Sequence, residues 1–156
     1  MSLEDPGWHI AGGIPRQSGW YFIRTTAPVD ILKEQALWDD TYLQVGSGKT
    51  VPVKNYDIAS RAARFSGDLA DCWNVTEVYS GLASNLRDRA REHTFPNPGT
   101  AALALSRYPA LRAYEWTFGF VTMKRFLEKP SCETMLLRLG EQIWRSKNGW
   151  PLLCEA

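Results

Sequence analysis

Three short runs rich in aromatic and β-branched residues, at 20–26, 75–79 and 116–123, constrain the fold of this chain more than any other feature. Residues of these types favour β-strands. The stretches between the runs differ in length and lack the regular strand–helix–strand repeat of a parallel sheet. The pattern predicts an α+β protein, and 156 residues are enough for a single domain with its own core.

Apolar residues three and four positions apart predict helices between the strand runs. Helices are expected after an N-cap at Asp30, from Asp57, over 85–93 with Ser84 as the N-cap, over 100–106, and from 130 to about 144. The pair Asn148-Gly149 is expected to stop the last helix. Residues 42–45 and 51–53 predict two strands around a turn, and residues 1–18 an irregular leader.

The turn segment 45–50, VGSGKT, resembles the end of a phosphate-binding loop. The full loop needs a glycine where this chain has Leu43, and a helix has to begin at the lysine. Val51 and Pro52 follow instead, and they do not start a helix. We therefore expect a short turn here and no nucleotide site.

The net charge of the whole chain is +1, from 18 Lys and Arg against 17 Asp and Glu, which excludes a histone-like polycation and an acidic tail. Residues 80–125 nevertheless carry seven basic and three acidic side chains. The middle of the chain is locally basic, either as a solvated arginine-rich face or as a surface for an anionic partner.

Three cysteines, Cys72, Cys132 and Cys154, stand far apart and form no Cys-x-x-Cys pair. This spacing excludes a disulfide scaffold and argues against a structural zinc site. No apolar run approaches the ~20 residues that cross a bilayer, and the first residues do not resemble a signal peptide. We expect a reduced, cytoplasmic protein without a membrane partner.

One predicted helix carries most of the polar chemistry. Asn85, Arg89 and His93 lie four residues apart on one face of it, with Arg87 and Arg91 beside them. An arginine one turn from a histidine is suited to binding a phosphate and moving a proton. The alternative is structural: Arg89 pairs with an acidic neighbour in its own helix, and His93 is a cation at the helix C-terminus.

Segment 79–89, YSGLASNLRDR, resembles the second signature of the GIY-YIG nuclease superfamily, in which Tyr-x-Gly ends a strand and an arginine follows ten residues after the tyrosine. Residues 19–21, GWY, look like the Gly-Ile-Tyr element of its first strand. Glu141 matches the place where the family keeps a metal-binding carboxylate. The resemblance implies a short antiparallel sheet flanked by helices, with 27–75 as an insertion between the first two core strands.

Glu141 also stands out by its position in the last helix. It falls at the edge of an apolar arc, between Leu137 and Trp144. A carboxylate there is costly unless a metal ion or an arginine pairs with it. Glu133 is the rival carboxylate, but the helix dipole accounts for its place in the first turn.

The resemblance implies a nuclease that hydrolyses phosphodiester bonds in DNA by in-line attack of water. Glu141 would hold one Mg²⁺ ion, and Arg89 would stabilise the phosphate oxygens. Tyr79 or Tyr21 would accept the proton from water, with His93 as the other candidate base. The Arg89 and His93 pair is similar to that of restriction-type endonucleases rather than repair-type members.

The expected partner is double-stranded DNA, contacted by Asn85, Arg87 and Arg91. The chain leaves no room for a separate DNA-binding module, so recognition is expected from the 27–75 insertion or from a homodimer. A second interpretation keeps the fold without catalysis, as a module that binds nucleic acid or a protein.

Overall fold

The computed structural model of the chain describes residues 13–36, 41–52, 57–65, 71–97, 99–123 and 133–154. The strands are β1 (Gly19–Thr25), β2 (Thr41–Leu43), β3 (Thr50–Pro52), β4 (Trp73–Asn74), β5 (Tyr79–Ala83), β6 (Trp116–Thr122) and β7 (Trp150–Pro151). The α-helices are α1 (Val29–Lys33), α2 (Ile58–Ala62), α3 (Leu86–Thr94) and α4 (Glu133–Asn148). Two 3₁₀ helices, Leu105–Arg107 and Pro109–Ala113, precede β6.

The core of the fold is an antiparallel sheet in which β1 lies between β5 and β6. Tyr21 of β1 stands opposite Gly81 on one side and Phe120 on the other. The predicted α+β class, with a short antiparallel sheet and flanking helices, is confirmed. The strands predicted at 20–26 and 116–123 are confirmed to within one residue at either end.

The two faces of the sheet carry different helices, because consecutive side chains of a strand point to opposite faces. Tyr21 reaches towards α3, where it hydrogen-bonds to His93. Its neighbour Trp20 reaches towards α4 and donates from its indole nitrogen to the carbonyl of Leu137 at 2.5 Å. The α3 face also holds the apolar core, whose fully buried side chains include Ile23, Leu86, Leu103, Leu105, Leu111 and Trp116.

The middle strand prediction, at 75–79, is wrong by four residues. The side chain of Asn74 accepts hydrogen bonds from the backbone N–H groups of Thr76 and Glu77, which bends the chain just before β5. Tyr79 therefore begins the strand instead of ending it. Gly81 lies inside β5 because the ring of Tyr21 occupies the space of a side chain there: a Cβ on Gly81 would stand 2.6 Å from the Tyr21 hydroxyl.

Helix caps decide the other differences from the sequence predictions. Asn85, not Ser84, is the N-cap of α3, and its side chain accepts from the backbone N–H of Asp88. Asp57 caps α2 as expected. Asp30 lies in the first turn of α1, where it favours the helix dipole but does not cap. The helix predicted at 100–106 is replaced by the two 3₁₀ helices.

The remaining predictions concern the ends of the chain and the segment before β5. β2 and β3 pair as an antiparallel hairpin, so residues 44–49 form its turn, and Thr50 begins β3 rather than a helix. Helix α4 ends at Asn148, and Gly149 follows with φ of 82°, as predicted for a helix stop. Residues 1–12 and 124–132, including Cys132, lie outside the described part. No helix in the described ranges is long and apolar enough to cross a membrane.

Candidate active site

The hydroxyl of Tyr21 is the centre of a buried polar network between β1 and α3. It receives a hydrogen bond from Arg89 Nε at 3.0 Å and lies 3.0 Å from His93 Nε2. The side chain of Tyr79 also hydrogen-bonds to Tyr21. We call these four residues, Tyr21, Tyr79, Arg89 and His93, the tyrosine network. The structure thus brings together four of the five residues predicted to carry catalysis.

Backbone contacts fix which nitrogen of His93 carries the proton. The N–H of Leu103 donates to His93 Nδ1 at 3.2 Å, so this nitrogen has to be an acceptor. The proton of the neutral ring then sits on Nε2, which donates to the Tyr21 hydroxyl. Burial, with the charge of Arg89 as the lesser cause, holds the pKa of His93 well below its usual range. This geometry supports a positioning role for His93 rather than that of a base.

The Tyr21 oxygen is the acceptor at the centre of the network. It accepts from Arg89 and His93, and the hydrogen bond with Tyr79 lowers the pKa of Tyr21, which is the direction expected when Tyr79 is the donor. Burial raises the pKa of Tyr21 to about 12, although the nearby charge of Arg89 opposes the shift.

Arg89 links the tyrosine network to its own helix and to the loop that follows it. Besides Tyr21, it donates to the carboxylate of Glu92 at 2.8 Å and to the carbonyl of Ala101 at 3.0 Å. The pairing with Glu92 is the structural alternative named from the sequence. A guanidinium has five N–H donors, so these three bonds leave two for a phosphate.

The structure places Glu141 on the other face of the sheet from the α3 helix. It forms an ion pair with Arg145, one turn later in α4, at 2.7 Å. Burial raises the pKa of Glu141, and the charge of Arg145 opposes the shift. Arg145 in turn donates to the hydroxyl of Ser80 in β5 at 3.1 Å. The side chain of the rival Glu133 lies outside the described part of the chain.

Residues of β5 line two clefts, one along α3 and the other along α4. The Arg89 cleft, about 750 Å³, is lined by Ser18, Leu82, Ala83, Ser84, Asn85, Asp88, Arg89, Glu92 and Leu137. The Glu141 cleft, about 430 Å³, is lined by Trp20, Tyr21, Phe22, Ser80, Gly81, Val121, Gly140, Glu141 and Trp144. Ser80 and Gly81 of β5 line the Glu141 cleft, and Leu82 and Ala83 line the Arg89 cleft. Arg89 and Glu141 thus lie in different clefts, on opposite faces of the sheet.

The three residues predicted to contact nucleic acid have different environments. Asn85 lines the Arg89 cleft, but its side chain is used for capping α3. Arg87 donates to the carbonyl of Ile14 at 2.7 Å and so ties α3 to the segment before β1. Arg91 is exposed on α3. Arg91 is therefore the one of the three best placed for a solvent-side contact.

Sequence reasoning missed Arg145 and Ser80. The spacing of Glu141 and Arg145, four residues apart in a helix, is a signal for an ion pair and was available in the sequence. Nothing in the sequence indicated Ser80, since its side chain becomes relevant only once β5 packs against α4.

Comparison with known proteins adds no relative: no family model, no curated protein and no solved structure matches the chain.

Proposed function

We propose that this protein is a Mg²⁺-dependent DNA endonuclease of the GIY-YIG type. The observation that carries the proposal is the tyrosine network, in which Arg89 and His93 both donate to one tyrosine hydroxyl that bonds to a second tyrosine. A purely structural network does not require an arginine beside two phenols. In a hydrolase, the positive charge would favour a proton acceptor at this place.

Glu141 fits a hard cation by its chemistry. It is a partly buried carboxylate, its side chain 14% exposed, and its positive partner in the structure is Arg145, so a hard cation would share the carboxylate with that arginine. Within the described ranges, no three His, Cys, Asp or Glu residues are grouped as a metal cage. Mg²⁺ needs no such cage, since it keeps several waters and binds through one or two carboxylates and substrate phosphates. When bound, the ion neutralises charge on the phosphate and on the leaving oxygen.

The residues of the chain divide the work as follows. The resemblance assigns the proton of the attacking water to Tyr79, which is 5% exposed and lines neither cleft. Arg89 offers its remaining N–H groups to a backbone phosphate in the Arg89 cleft, separate from the phosphate at Glu141. His93 holds the Tyr21 ring in place by its donated proton. The expected substrate is double-stranded DNA, as the resemblance implies, and the locally basic segment 80–125 favours an anionic partner.

The test is cleavage of supercoiled plasmid DNA with Mg²⁺ and with EDTA. Glu141→Gln keeps the shape of the side chain and removes its charge, and we expect the rate to fall by about 100-fold or more. Glu115→Gln, an exposed glutamate beside β6, is the matched control and is expected to keep the parent rate. Equal rates for the parent and Glu141→Gln contradict the proposal.

A second function is supported by one observation, the pairing of the site's charges inside the chain. Glu141 is paired with Arg145, and Arg89 with Glu92, so both groups are balanced without a ligand. A module that binds nucleic acid or protein without cleavage would have this arrangement. Binding of labelled duplex DNA by a parent chain that cleaves nothing with Mg²⁺, Mn²⁺ or Co²⁺ would favour this alternative.

A further inference from the structure

The Glu141 cleft has walls that a phosphate site does not require. Three aromatic side chains, Trp20, Phe22 and Trp144, line it together with Val121. The rings of Phe22 and Trp144 are nearly parallel, at 7° with centroids 6.3 Å apart. The cleft therefore presents flat apolar surfaces directly beside the carboxylate proposed to hold the metal ion.

Glycines keep the aromatic surfaces in place. Gly119 of β6 lies under the ring of Phe22, and Gly140 of α4 lies under the indole of Trp20. A Cβ on Gly140 would stand 2.5 Å from that indole. The indole is also tied by its bond to the Leu137 carbonyl. These contacts hold Trp20 and Phe22 against the sheet and the helix, so one wall of the cleft is already formed without a ligand.

Two arginines are close to this aromatic surface, and each already has a carboxylate partner. The guanidinium of Arg24 lies 4.8 Å from the centre of the Phe22 ring, its side chain is 53% exposed, and it forms an ion pair with Glu77. Arg145 directly follows one of the aromatic residues in α4 and is paired with Glu141. A flat apolar surface beside an exposed guanidinium is complementary to a nucleotide, whose base stacks on aromatic rings while a neighbouring phosphate meets the cation.

We propose that the Glu141 cleft binds one unpaired nucleobase of the DNA, next to the phosphate that is cut. This inference rests on the proposed function and adds the form of the substrate: a duplex with a base that is unpaired or turned out of the helix. A base within a regular duplex is stacked between its neighbours and cannot enter the cleft. An extruded base stays joined to its own phosphate, so its entry brings that phosphate close to Glu141.

The test measures binding without cleavage, by fluorescence anisotropy with Ca²⁺ in place of Mg²⁺. Two labelled duplexes are compared, one fully paired and one with a single unpaired base. We expect the parent to bind the second duplex at least about five-fold more tightly, since stacking of one base on aromatic rings is worth about that much or more. Phe22→Leu and Trp144→Leu are expected to remove the preference while keeping an apolar side chain.

Ile143→Ala is the matched control for the cleft variants. Ile143 precedes Trp144 in α4, is 47% exposed and does not line the cleft, so the preference should persist. Circular dichroism of each variant establishes that it is folded. If the parent binds both duplexes equally, or if both leucine variants keep the preference, the inference is overturned.

Failure of this inference and failure of the proposed function give different results. A chain that cleaves fully paired DNA and shows no preference in binding keeps the proposed function and loses the nucleobase site. A chain that cleaves neither duplex but prefers the unpaired base keeps the nucleobase site and loses the nuclease.

Discussion

The two faces of the central sheet use polar groups in opposite ways. On the α3 face, Tyr21 and His93 are almost completely enclosed, at 3% and 0% exposed, and their hydrogen bonds are made within the protein. On the α4 face, Glu141 stands in a cleft with aromatic walls. The enclosed face fixes protons and orientations away from water and opens to solvent at the Arg89 cleft, whereas the open face offers a substrate the Glu141 cleft.

On both faces, an arginine that is ion-paired within its helix also hydrogen-bonds to the sheet. In α3 the ion pair of Arg89 and Glu92 balances an arginine that reaches to Tyr21 of β1. In α4 the ion pair with Glu141 balances Arg145, which reaches to Ser80 of β5. In each case the charge of an arginine is balanced by a glutamate of its own helix, and another N–H group of that arginine donates to a residue of the sheet. The faces therefore differ in enclosure, not in how the helices are attached.

Removal of the His93 ring is expected to show the largest difference in stability between the faces. His93→Ala leaves a cavity in the core and removes the acceptor of the hydrogen bond from the N–H of Leu103. We expect a loss of roughly 3 kcal/mol in the free energy of unfolding, from the cavity and the unpaired donor. Urea unfolding followed by tryptophan fluorescence measures it.

Arg91→Ala is the matched control for that loss, since Arg91 is exposed and lies two residues earlier on the same helix. It should change the unfolding free energy by less than about 0.5 kcal/mol. A loss of less than 1 kcal/mol for His93→Ala would mean that the α3 face is not enclosed as described.

The enclosed face was largely predictable from the sequence, and the open face was not. Tyr79, Arg89 and His93 follow one another at fixed spacing along a strand and the next helix, so local periodicity places them together. Tyr21 joins them through the pairing of β1 with β5, which the resemblance implied. The start of β5 was misplaced because the turn at Asn74 depends on a side-chain hydrogen bond that strand propensity does not register.

The Glu141 cleft depends on contacts between distant parts of the chain, and no local pattern reports these. Trp20 and Gly140 are 120 positions apart in the chain. A glycine within a helix pattern indicates a lower helix propensity, and it does not indicate that an indole packs on it. The apolar arc predicted for α4 includes Leu139, which is 52% exposed. The apolar periodicity located the helix, but it did not predict how far each side chain is buried.

Acidification is expected to act on the two faces in opposite directions, since burial lowers the pKa of His93 and raises that of Glu141. His93 stays neutral in the folded protein because burial lowers its pKa, whereas the unfolded chain takes up the proton below about pH 6.5. The unfolded state then binds more protons at His93, so the contribution of this residue to stability falls as pH falls, by about 1.4 kcal/mol for each pH unit below about 6.5. Tyr21 stays protonated and Arg89 charged throughout this range.

Comparison of unfolding free energies between pH 5.5 and 7.5 for the parent and His93→Asn isolates this contribution. The asparagine variant has no group to protonate at this position. The slope of its unfolding free energy against pH should therefore be smaller than that of the parent by about 1.4 kcal/mol per pH unit. Parallel curves for the two proteins would show that His93 is not held neutral by the fold.

The smallest expected effect tests the wall of the open face. Gly140→Ala normally favours a helix by about 1 kcal/mol, yet here its Cβ meets the indole of Trp20 and forces it from the Leu137 carbonyl. We expect a net loss of about 1 kcal/mol in the unfolding free energy. With Trp20→Ala already in place the clash is gone, and the same Gly140→Ala change should become stabilising. A loss of equal size in both backgrounds would mean that the indole of Trp20 does not pack on Gly140. The Glu141 cleft would then lack the aromatic wall that Trp20 forms, and this side of α4 would be an ordinary exposed helix surface.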